Sequence, residues 1–130
     1  MDLAILQQPY SLTVEQISFY QTNKYIKLKQ VLDEETLNYF NKVITNRVNE
    51  LKDATTPLEK RTTYGKAFLQ LMNLWTSDEN IKKLIFSRRI AQIASDLMQV
   101  KGVRLYHDQA LYKEAGGGIT PWHADRKSVV

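Results

Sequence analysis

His123 and Asp125 are separated by a single residue in the stretch GGGITPWHAD at 116–125. Alternate residues of a strand share one face, so an imidazole nitrogen and a carboxylate oxygen at this spacing can converge on one ion. One more imidazole from elsewhere completes the 2-His-1-carboxylate facial triad, which suits Fe(II) and leaves positions open for a cosubstrate and oxygen. The bare His-X-Asp pattern is common, and a surface histidine beside an aspartate is its ordinary explanation. Its setting here is less ordinary. An alternating segment runs into three glycines, Gly116, Gly117 and Gly118, and Trp122 adjoins the histidine. The chain holds one other histidine, His107. Alternation puts His107 on a face with Gln109, where it is either a third donor or a histidine satisfied by a hydrogen bond.

The elements that must position these residues are legible as patterns. Residues 1–11 read as a loose lead-in, and Thr13 with Gln16 makes a capping box ahead of a short helix. KYIKLKQV at 24–31 alternates and predicts a half-buried strand near an edge. Asp33 caps the clearest helix, in which Leu37, Phe40, Val43, Ile44, Val48 and Leu51 recur at helical spacing. Residues 53–65 read as loop. KAFLQLMNLW at 66–75 has helical spacing, with a strand or an irregular segment as the alternatives, and Phe68, Met72 and Trp75 read as core. Ser77 or Asp78 caps either one bent helix or two short ones, and Gly102 closes the helical region. VRLYHDQALYKEA at 103–115 alternates and predicts one strand or two. The expected fold is α+β in a single domain over 1–130, helical over 12–100, with the start of a sheet over 102–125 and a divergent tail at 126–130.

Composition bounds the function. With 130 residues, 43% hydrophobic and 25% charged, the chain is sized for one globular domain. It has no cysteine, which excludes disulfides and thiolate metal sites. The start has neither a basic leader nor a long apolar run, so a cytoplasmic protein with no membrane partner is expected. The net charge of +4 is scattered along the chain rather than gathered in a stripe. The cluster at 82–89 reads as a solvated helix face, and no nucleic-acid partner is expected.

YHDQALYKEAGGGITPWHAD at 106–125 resembles the signature of the phytanoyl-CoA dioxygenase family of Fe(II)- and 2-oxoglutarate-dependent oxygenases: Asp-Gln, Lys, a glycine-rich turn, then Thr-X-Trp-His-X-Asp. The stretch from Thr13 to Ile44 is loosely similar to the family's opening helix, strand and helix, with Lys24 where glycine is usual. The resemblance implies N-terminal helices packed on the first strands of a double-stranded β-helix of jelly-roll or cupin-like form. It implies that His123 and Asp125 are iron ligands. It places Gln109 and Lys113 on the face toward the cosubstrate or substrate, with Thr120 and Trp122 flanking the metal strand. It implies Fe(II) and 2-oxoglutarate as cofactor and cosubstrate. The implied reaction hydroxylates a small-molecule or acyl substrate and releases succinate and carbon dioxide.

The family pattern also needs a later histidine and an arginine for the far carboxylate of 2-oxoglutarate. Neither follows Asp125 in the family's place, and RKSVV departs from the aromatic and apolar continuation that is usual. The expectation is therefore an N-terminal half that is inactive alone. The alternatives are a non-catalytic fragment or pseudo-enzyme that binds a partner, and a small metal-binding module using His107, His123 and Asp125. Bland readings stand beside these: Trp122 as packing, Lys113 as a solvated lysine, the glycines as a turn, and Asp108 with Glu114 as paired carboxylates only if the fold joins them.

Overall fold

Short polar side chains start the helices. In this computed structural model, residues 3–52 and 56–120 are described, with Thr63 and Tyr64 as backbone only. Thr13 accepts the Gln16 amide at 3.2 Å while Gln16 Oε1 accepts the Thr13 amide at 2.9 Å, closing the capping box of α1 (Val14–Asn23). Asp33 Oδ1 accepts the Thr36 amide at 2.7 Å and opens α2 (Glu34–Lys52). Glu34 and Glu35 in its first turn complement the helix dipole. A short α3 (Thr63–Ala67) leads into strand β1 (Leu69–Met72). Asp78 accepts the Asn80 and Ile81 amides to start α4 (Glu79–Ile85), and Ser87 starts α5 (Arg88–Met98). The second strand, β2 (Gln109–Tyr112), pairs antiparallel with β1.

The core lies between α2, α4 and one face of the sheet. Val48, Leu69, Leu74 and Ile81 are buried together, with Val43, Ile44, Leu51, Leu71, Ala110 and Tyr112 packed around them. A second layer forms where α1 and the lead-in turn Ala4–Gln7 pack on α5, burying Leu6, Ile93 and Leu97. The mixed α+β class is thus the observed one, with a two-stranded sheet among the described residues.

Several sequence expectations are corrected. The lead-in is docked, because the Ser87 hydroxyl donates to the Leu6 carbonyl at 3.0 Å in a buried contact. No strand forms over 24–31. Lys24 and Gln30 take left-handed backbone angles, and carbonyls there are captured by side chains: Tyr10 Oη donates to Lys29 and Arg89 Nε to Val31. Arg89 also donates to the Gln8 and Pro9 carbonyls, so it tethers the lead-in rather than joining a solvated face. Over 66–75 the helical alternative gives way to the strand: the stretch is the end of α3, β1 and the start of a single 3-10 turn. Leu69 and Leu74 are its core residues, whereas Met72 is half-exposed. The sheet expected to start at 102 already begins with β1 at Leu69, within the stretch expected to be helical, and the strand expected over 103–115 is confined to Gln109–Tyr112, since 103–108 pairs with no strand. No helix among the described residues is long and apolar enough to cross a membrane.

Ile81 is 1% exposed and Leu37 is 53% exposed, although both occupy apolar positions of helices. Ile81→Ala is expected to cost about 2–5 kcal/mol and Leu37→Ala about 0.5 kcal/mol or less, read as urea midpoints. The Thr36 amide beside Asp33 holds that carboxyl below the ordinary aspartate range. A depressed folded-state pKa stabilises above the unfolded pKa and is lost as pH falls through the folded value. The stability gap between the wild type and Asp33→Ala is therefore expected to be constant at neutral pH and to close below about pH 4, measured by denaturation at a series of pH values.

Candidate functional site

Strand register decides which side chains can work together. Leu69 faces Tyr112, Gln70 faces Leu111, Leu71 faces Ala110 and Met72 faces Gln109. Directly opposed residues share a face. Leu69, Leu71, Ala110 and Tyr112 therefore form the inner face against the helices, where the Tyr112 hydroxyl lies 3.1 Å from Thr45 Oγ1 of α2. Gln70, Met72, Gln109 and Leu111 form the outer face, and Met72 and Leu111 are about half-exposed on it. Lys113 continues that face. Its ammonium lies 4.7 Å from the Phe68 ring centroid and donates to the Gly118 carbonyl at 2.7 Å.

Gln109 and Lys113 thus share the outer face, on an exposed strand side. Thr120 is exposed in coil beyond the glycine turn. Trp122, His123 and Asp125 lie outside the described residues. Among the described residues no group of three or more histidine, cysteine or acidic side chains is placed to hold a metal.

Asp108 has a role that its residue type alone did not disclose. Its carboxylate accepts the amides of Leu74 at 3.0 Å and Trp75 at 3.3 Å, and its carbonyl accepts the Asn73 amide at 3.0 Å. It caps the turn that follows β1 and so ties the exit of one strand to the entry of the other. Glu114, at the far end of β2, pairs with the largely buried Arg61. The two acids serve separate partners and are not a carboxylate pair. Next to Asp108, His107 is half-buried with its ring 4.6 Å from that of Tyr106. His107, Asp108 and Gln109 border the polar end of a cavity of about 340 Å³, whose other walls include Ile44, Leu74, Ile81 and Ile85.

The glycine run is more than a spacer. Gly117 donates to the Glu114 carbonyl at 3.0 Å, and Gly116 has φ +75°, the turn position that favours glycine. Gly118 donates to the Lys66 carbonyl at 2.8 Å, which docks the turn on the end of α3. A Cβ on Gly117 would stand 2.8 Å from the Lys66 oxygen and 3.0 Å from the Glu114 oxygen, both backbone atoms. A Cβ on Gly102 meets nothing within 4 Å.

Gly117→Ala is accordingly expected to lose about 1–3 kcal/mol through forced backbone movement, with Gly102→Ala near neutral. Thermal melts of the two variants side by side check this, and equal melting would remove the close approach of the turn to α3.

No family model matches this chain, and neither the curated proteins nor the solved structures supply a match.

Proposed function

We propose that the chain is part of a non-haem Fe(II)- and 2-oxoglutarate-dependent oxygenase of the phytanoyl-CoA dioxygenase type, with His123 and Asp125 as two of three protein ligands to iron. The observation that supports this best is the shared outer face of Gln109 and Lys113, the arrangement that the resemblance at 106–125 calls for. In this reading β1 and β2 are early strands of a jelly roll, and the outer face is the side turned toward the cosubstrate.

The chemistry of the donor set fits iron for two positions. Imidazole and carboxylate at alternate residues suit Fe(II), and a second imidazole is still needed. His107 borders the cavity at the end of the sheet, and its neighbour Asp108 is committed to the Leu74 and Trp75 amides. When bound, iron with 2-oxoglutarate supplies the oxygen chemistry that hydroxylates the substrate and yields succinate and carbon dioxide. The protein's own part is binding and orientation. Lys113 has three donors and spends one on Gly118, so it can offer others to a carboxylate. The Gln109 amide can both donate and accept on the same face. The Gly117 turn, docked on Lys66, fixes where the segment after β2 begins.

The test is anaerobic titration of the chain with Fe(II), followed by calorimetry. Weak saturable binding is expected, with His123→Ala and Asp125→Ala each lowering it at least about tenfold and His107→Ala leaving it unchanged. No saturable binding, or unchanged binding in His123→Ala, overturns the ligand assignment and leaves a non-catalytic binding protein as the reading. Equal losses in His107→Ala and His123→Ala would instead favour the small metal-binding module.

A further inference from the structure

α5 carries two apolar surfaces. Ile93 and Leu97 are buried against the rest of the protein. Beside them, Ile90, Ala94 and Met98 recur every fourth residue along α5 and, with Phe86 at the end of α4, line a groove of about 760 Å³. The facing wall is the extended stretch 103–106, including Val103, Leu105 and Tyr106. Trp75 closes one side, its ring edge-to-face with Phe86 at 5.2 Å.

Three features say what fits there. The groove is open: Phe86 is 52% exposed, Met98 42% and Leu105 41%. A small molecule that buries most of its own surface needs a closer cleft. A residue row at fourfold spacing, with Ala91 and Ala94 as a shallow floor, offers the ridges and grooves that seat a second helix. The one charged side chain that lines the groove is a cation, Arg104, exposed and without an ion pair among the described residues.

We propose that the groove between α5 and 103–106 binds an amphipathic helix of a partner protein, seated by its apolar stripe and held by an acidic residue that meets Arg104. Apolar anchors supply the contact area, and Arg104 selects an acidic flank and sets a salt-sensitive association rate. This site stands apart from the iron reading, since it uses neither His123, Asp125 nor the outer face of the sheet.

The experiment uses the full chain and two labelled designed peptides of about four helical turns. Both carry leucines at i, i+3, i+4 and i+7; one has flanking glutamates and the other flanking lysines. Fluorescence anisotropy should show the glutamate peptide binding at least about tenfold more tightly than the lysine peptide, with affinity falling as salt rises. Ala94→Arg, which fills the floor, should abolish binding. Arg104→Glu, at an exposed position, should erase the preference for glutamate without disturbing the fold, checked by circular dichroism. Equal binding of both peptides, or an unchanged preference in Arg104→Glu, overturns the proposal. Self-association of the chain that is lost in Ala94→Arg would give the groove to a second copy and also overturn it. So would binding to anionic phosphatidylglycerol vesicles with no binding of the glutamate peptide.

Discussion

The described structure hangs on one clamp. β1 and β2 are separated in sequence by the whole excursion through α4 and α5, so their pairing must overcome the entropy of closing a long loop. Asp108 offsets part of that cost at the closing point. Through its carboxylate and carbonyl it takes the amides of Asn73, Leu74 and Trp75, three donors that a 3-10 turn would otherwise leave without partners. The clamp also sets register. With Met72 opposite Gln109, Leu71 and Ala110 fall on the inner face and Gln109 and Leu111 on the outer. A slip of one residue would turn Leu69 and Leu71 outward and bring Gln70 into the core between α2 and α4. The inner apolar face and the polar outer face are therefore two consequences of the same pairing.

What could be read from the sequence was what short-range chemistry decides. Thr13, Asp33 and Asp78 start their helices because each has an oxygen within reach of amides two or three residues on. The common side of Gln109 and Lys113 follows from alternation alone. What could not be read was decided at long range. The alternation at 24–31 is real, but a strand needs a neighbour, and there Tyr10 and Arg89 reach the carbonyls first. Residues 69–72 fit a helix by spacing and become a strand because their partner lies at 109–112. Arg89 looked like one more solvated cation. Its neighbours Gln8, Pro9 and Val31 are distant in sequence, and they make it a tether.

The glycine turn joins the two scales. Gly116 is explained locally by its positive φ, as any turn glycine is. Gly117 is explained by a neighbour far back in the chain, the Lys66 carbonyl at the end of α3. With Asp108, that contact leaves β2 fixed at both ends. Asp108 anchors its entry to the turn after β1, while Gly118 and the Arg61–Glu114 pair anchor its exit to α3 and the loop before it. A strand held at both ends keeps Gln109 and Lys113 at a fixed separation on one face.

The groove and the clamp share a stretch of chain. Residues 103–106 form one wall of the groove, and the next residues deliver Asp108 to its amides. This stretch pairs with no strand among the described residues, and it lines the groove together with Ile85 and Ile90. A ligand that binds only the folded groove stabilises the fold in proportion to the logarithm of its saturation. The groove wall and the clamp residue lie on one short piece of backbone, so a partner seated on Leu105 and Tyr106 would bear on the same segment that presents Asp108 to its amides.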